Sequence, residues 1–284
     1  MKSNQSKNAA GRHAVNRKQA LLSVLILSFI GPLTCPAQSK PLQQKQAHET
    51  KKESIYAIKY KTAQLGQMTV YAGQTGFKIT GVAHDGNIVA RAPDWKVMAF
   101  NTREKLCYET TLDKFSRQGC PGMIATTDYF EGRKLDPVRV TFGGTKALKL
   151  SAPTNGAAVG MMMPTYSGVA RNRAQAVAVS VWCTAEPPAV PAQVKNLIWA
   201  VFKLPKVGGF PLAVSFDYND GTTGHTMKAL SITKVELDPD QLFAYPTGFK
   251  KERTAEAAIL SGNLLDSAFM ETPDLYQDKP DKKN

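Results

Sequence analysis

Two stretches of this 284-residue chain carry residue types suited to metal chemistry, and neither has the spacing. His48-Glu49 opens like the helix of a zinc protease, but Lys52 stands where the second histidine ligand belongs. Asp217-Tyr218-Asn219-Asp220-Gly221 offers the oxygen ligands of a calcium loop. Its glycine comes one place early, and no glutamate follows at the required distance. The same residues read more simply as a hairpin turn. His84 and His225 both fall where strands are expected to turn, and two such histidines can meet at one rim of a barrel, with solvated turn residues as the simpler reading. Met161-Met162-Met163 suits a soft lining for an apolar ligand or a copper site, with loop or core packing as the simpler reading. The chain has no GxSxG elbow, phosphate loop or CxxC pair. No catalytic residue, metal site or cofactor is therefore expected, and the protein is not read as an enzyme.

The start of the chain sets the compartment in which any chemistry would occur. Residues 1–37 hold five basic side chains (Lys2, Lys7, Arg12, Arg17, Lys18), no acidic one, and the ten-residue run from Leu21 to Ile30. That run spans about 15 Å as a helix, roughly half a bilayer core. A basic flank, a short apolar run and then Gly31-Pro32 form the pattern of a cleaved export signal, so an extracytoplasmic, periplasmic location is expected. Cleavage after Ala37 competes with a lipoprotein reading in which Cys35 is acylated and tethers the chain. No later segment is long and apolar enough for a transmembrane span.

The net charge is +13, and losing residues 1–37 removes those five positive charges and no negative one, leaving +8. Such a charge suits attraction to anionic membrane surfaces or wall polymers, and reads equally well as a solvated basic surface. Its Lys and Arg are scattered, so nucleic acid is not an expected partner. Three of the four cysteines lie beyond the signal. A Cys107–Cys120 disulfide would close a short loop in an oxidising compartment, leaving Cys183 as a buried thiol in an apolar strand.

The elements that must position these residues are mostly strands. Residues 38–53 are polar and aperiodic and read as a flexible leader, and residues 273–284 as a disordered tail. Between them, 54–272 reads as one domain. Two-residue alternation puts Met68 with Val70, and Phe77 with Ile79. It continues through Ile88–Arg91, Lys96–Asn101 and Lys105–Glu109. In Val138–Phe142 it predicts Val138, Val140 and Phe142 inward. In Ala176–Cys183 it puts Val177, Val179, Val181 and Cys183 on one face. Leu212–Asp217 and Thr226–Val235 form a last hairpin. Helices are predicted at Thr111–Gln118, at Pro191–Phe202, where Val194, Leu197, Ile198 and Val201 recur at helical spacing, and at Thr254–Phe269. The fold class is α+β and mainly antiparallel, with about ten strands and two or three helices.

Three stretches carry a family likeness: Met68–Tyr108, with Ile88-Val89-Ala90-Arg91-Ala92-Pro93-Asp94-Trp95; Phe202–Leu212; and the close Leu242-Phe243-Ala244-Tyr245-Pro246-Thr247-Gly248-Phe249-Lys250-Lys251. This order resembles the lipoprotein-carrier (LolA-like) superfamily, including exported bacterial domains of unknown function. The resemblance implies an unclosed β half-barrel whose hollow is covered by helices and holds acyl chains. On that reading Met68, Val70, Phe77, Ile79, Val179, Val181, Leu212, Val214 and Phe216 line the hollow. The expected partner is a lipid or another apolar group. The alternative is an envelope sensor or protein-interaction module with no lipid.

Overall fold

The computed structural model describes residues 52–123, 125–134, 136–154 and 175–260. They all lie in one unit, Glu49–Asn284. The export signal, Cys35, the His48-Glu49 pair, the methionine triplet and the tail lie outside the described residues, as does nearly all of the leader.

Among the described residues there are twelve strands in a single sheet and five short helices. The strands are β1 (Glu53–Thr62), β2 (Gly66–Ala72), β3 (Gly76–Val82), β4 (Gly86–Arg91), β5 (Lys96–Asn101) and β6 (Leu106–Thr110), then β7 (Val138–Phe142), β8 (Thr145–Pro153), β9 (Ala176–Thr184), β10 (Pro211–Tyr218), β11 (Thr223–Leu237) and β12 (Lys250–Lys251). The helices are α1 (Leu112–Gln118), α2 (Thr127–Phe130), α3 (Ala192–Val201), α4 (Pro239–Leu242) and α5 (Ala255–Ile259). The sheet order is β12-β6-β5-β4-β3-β2-β1-β11-β10-β9-β8-β7. Every pairing is antiparallel except β12 with β6. The two ends of this order do not pair with each other, so the half-barrel is unclosed.

The helices begin where local chemistry caps them. The Thr111 hydroxyl accepts from the Lys114 amide, and the Thr254 hydroxyl from the Ala257 amide, which satisfies first-turn donors that have no intrahelical partner. Pro191 stands at the N-cap of α3 with an extended ψ of 155°. The C-terminus of α1 lies close against α3. A Cβ on Gly119, whose φ is +69°, would sit 2.7 Å from the Ala200 carbonyl oxygen. Glycine satisfies both the conformation and the close approach.

Strand pairing gives the sheet one unbroken apolar face. Read straight across, Ile232, Ile58, Val70, Ile79, Ile88, Ala99 and Tyr108 are neighbours from β11 to β6. The adjoining row brings Leu150, Val181, Val214 and Met227 together from β8 to β11. Apart from Tyr108 at its end and the half-buried Ile232, both rows are buried in one cluster with Phe115 of α1, Val194, Leu197, Ile198 and Val201 of α3, and Ile259 of α5. Each fully buried aliphatic or aromatic side chain contributes about 1.5–3 kcal/mol.

Two sequence expectations about facing are corrected. Val138, Val140 and Phe142 lie on the other face. Val138 pairs with Lys149 and Val140 with Ala147, one residue out of phase with the inward Leu148 and Leu150. Val177 is 46% exposed, because the β9–β10 register shifts between Ala176 and Ala178 and turns Ala176 inward in its place.

The opposite face carries a second, smaller core. Ile55, Val89, Met98, Phe100 and Cys107 are covered there by Phe243, with Leu242, Tyr245 and Phe249 beside it. The segment from α4 to β12 therefore straps the back of strands β1 to β6. The Tyr245 hydroxyl donates to the Lys96 carbonyl (2.7 Å) and accepts from the Arg91 amide (3.2 Å). Arg91 pairs with Asp240, and Glu109 joins Lys96 (2.8 Å) and Lys251 (3.1 Å).

Candidate functional site

Strands β2 and β3 bring Val70 directly opposite Ile79. Strands β9 and β10 do the same for Val181 with Val214 and for Val179 with Phe216. Eight of the nine sequence-chosen lining residues join the cluster under α1, α3 and α5, and Leu212 is buried at 4% beside a register shift. The two strand pairs are not adjacent. Strands β1 and β11 lie between them and supply Ile58, Tyr60, Met227 and Ile232 to the same surface. Sequence reasoning missed those four because β1 is apolar on both faces, with Ile55 toward one core and Ile58 and Tyr60 toward the other, and because β11 bulges at Leu230 between Met227 and Ile232. The two-residue spacing of Tyr56, Ile58 and Tyr60 was the signal available.

This surface is occupied by the chain's own side chains. Phe202, at the C-cap of α3, packs on Tyr60 with ring centres 4.8 Å apart, and Tyr129 of α2 meets Phe216 at 6.1 Å. The Tyr60 hydroxyl donates to the Pro211 carbonyl at 2.9 Å, and complete burial holds its phenol neutral far above the usual range. Burial pushes the Cys120 thiol up to about 12, and raises the Cys183 thiol as well. Burial thus disfavours the ionised forms of these three groups. The helices cover the surface mainly by apolar contact, which is not directional, and the Lys203 carbonyl after α3 accepts from the Thr126 amide (3.0 Å) and hydroxyl (3.1 Å). A depression of about 390 Å³ at its β8 margin is lined by Arg133, Lys134, Asp136, Leu150, Ser151 and Pro153.

The remaining sequence candidates do not converge. Cys107 and Cys120 are both free thiols. Cys107 pairs with Phe100 on the strap side, whereas Cys120 belongs to the core under the helices, so the sheet separates the two. His84 is in the β3–β4 turn, but His225 lies within β11, among the rings of Phe142 and Trp182. Asp220 caps a hairpin by accepting from the Thr222 amide (2.9 Å) and hydroxyl (2.6 Å), and Asp217 accepts from the Thr223 hydroxyl (2.7 Å). Both carboxylates thus serve the turn. Among the described residues no group of His, Cys, Asp and Glu is gathered for a metal, and no helix is long and apolar enough to cross a membrane.

Compared with known protein families and with curated proteins, the sequence finds no match. Among solved structures, the fold is similar to an uncharacterised conserved protein from Thermus thermophilus, at a TM-score of 0.37 and 11% identity. That alignment covers 71% of this chain and 91% of the other. It is also similar to an outer membrane lipoprotein-sorting protein domain from Vibrio parahaemolyticus, at a TM-score of 0.21 and 11% identity, covering 65% of this chain and 77% of that one.

Proposed function

We propose that this is an exported cell-envelope protein that holds a lipid acyl chain or another apolar group between its sheet and its covering helices, without catalysing a reaction. The observation that carries this reading is the continuous apolar face running from β5 to β8 beneath three helices of only five to ten residues. A short helix held by non-directional apolar contact can be replaced by an acyl chain with little change in the surface removed from water. Helix α3 is the element to move. It is flanked by Pro187-Pro188 and Pro191 before it and by Pro205 and Gly208-Gly209 after it, so it can shift without breaking a strand. The basic, apolar leader and the sequence likeness to lipoprotein carriers support the envelope setting.

The test is uptake of a fluorescent fatty acid by purified protein. Binding at micromolar concentration, weakened at least tenfold by Leu197→Trp or Val181→Trp, which fill the space, is the expected result. No uptake by protein stripped of lipid overturns the reading. The close packing of all nine lining residues favours a second one, an envelope interaction module whose inner face is ordinary core. A single stoichiometric protein partner from envelope extract, with no lipid in the complex, would support it.

A further inference from the structure

Among the described residues the back of the sheet has two halves, and the strap covers the one that runs from Ile55 in β1 to Cys107 in β6. On the other half, pairing lines up Val138, Lys149, Trp182, Ala213, Lys228, Lys61 and Gln67 straight across seven strands, from β7 to β2. This row holds three lysines and no carboxylate. Lys228 stands directly opposite Lys61, a like-charge pairing that costs stability unless an anion lies over it. The Lys149 ammonium sits 5.0 Å from the centre of the Trp182 ring, and the Phe142 ring lies 5.6 Å from Trp182. At the edge of the row Val138 is 62% exposed. The residues between these groups, Ala147, Ser180, Ala213 and Ser215, are small and buried, so the accessible part of the face is made by the lysines and rings around them.

We propose that this face docks the protein on an anionic phospholipid surface. Strands about 4.8 Å apart spread Lys149 and Lys61 across roughly 19 Å of a sheet face. Groups so dispersed cannot converge on one small anion, but they match an extended layer of negative headgroups. Tryptophan flanked by lysine and phenylalanine suits the depth at which a bilayer changes from headgroup to acyl chain. The exported chain's charge of +8 has the matching sign. This docking does not depend on what lies under the helices.

The experiment is co-sedimentation of the protein, purified as the host exports and processes it, with phosphatidylglycerol vesicles and with phosphatidylcholine vesicles. Binding to the anionic vesicles alone, falling as salt rises, is expected. With about fivefold lost per lysine, the triple variant Lys61→Gln, Lys149→Gln, Lys228→Gln should bind on the order of 100-fold more weakly. These lysines are partly exposed, so the variant should fold, and it should keep its fatty-acid uptake. Trp182 fluorescence, isolated by Trp95→Phe and Trp199→Phe, should be quenched by brominated lipid in the anionic vesicles. Equal binding by the triple variant, equal binding to neutral vesicles, or binding to cell-wall polymer with none to vesicles would overturn the proposal.

Discussion

Cys120 shows how strongly the interior favours neutral side chains. Its thiol is completely buried and is pushed up to about 12 by loss of water, while burial also raises Cys183 and Cys107. The thiolate is the reactive form, so all three should resist alkylation in the folded protein. Iodoacetamide at pH 8 should leave Cys107, Cys120 and Cys183 unmodified under native conditions and label all three in urea without a reductant. If two of them label only after reduction, a bridge exists that the sheet's separation of Cys107 from Cys120 forbids. Glu109 behaves in the opposite sense. Lys96 and then Lys251 hold its carboxyl below the usual range, so the native state binds its proton less readily than the unfolded chain does. Its contribution is therefore present above about pH 4.3 and is lost as pH falls through the lowered native value. Water screens these partly exposed groups, so the effect is no more than about 1 kcal/mol. Glu109→Gln should unfold slightly more easily at pH 7 and match the parent once acid has protonated the native Glu109 carboxyl.

The strap from α4 to β12 is the element whose removal the structure penalises most specifically. A Cβ on Gly76 would sit 2.4 Å from the Phe243 ring, a rigid body that cannot step aside. Gly76→Ala should therefore destabilise by about 1–3 kcal/mol in urea unfolding, and the double variant with Phe243→Ala should lose less than the sum of the two. Additive losses would show that the two residues do not press on each other. The strap also marks where the sequence was hard to read. Its aromatic residues were visible as a motif, but a two-residue strand paired in parallel has no period, so neither β12 nor the face it covers could be inferred. Strand β7 makes a related point. Val138–Phe142 was readable to the residue because turn residues bound it. Alternation says which side chains share a face, not which face is core, and here the inward expectation had the sides reversed. The four-residue helices α2 and α4 are too short to show helical spacing, whereas α3, with four apolar residues at that spacing, was readable almost to its ends. That the nine candidates would be buried was legible because they sit at two-residue spacing, although a register shift leaves Leu212 outside the main cluster. Their neighbours in β1 and β11 were harder to read, because β1 is apolar on both faces and β11 bulges at Leu230.

At the scale of the whole molecule, one sheet serves two surfaces. Its inner face is apolar from β5 across to β8 and lies under α1, α3 and α5. Its back is divided between a strapped aromatic core and a lysine-and-tryptophan row. An open sheet permits this arrangement because its edges let the covering helices enter from both sides of the strand series, which a closed cylinder would prevent. The proposed work of the molecule, taking up an apolar chain in place of its own helix, rests on the inner face alone. Native mass spectrometry of protein purified from its host without detergent tests this most directly. The account predicts a population heavier than the processed polypeptide by the mass of an acyl lipid, lost on organic extraction and reduced by Leu197→Trp. A single population at the polypeptide mass, unchanged after incubation with lipid, would contradict it.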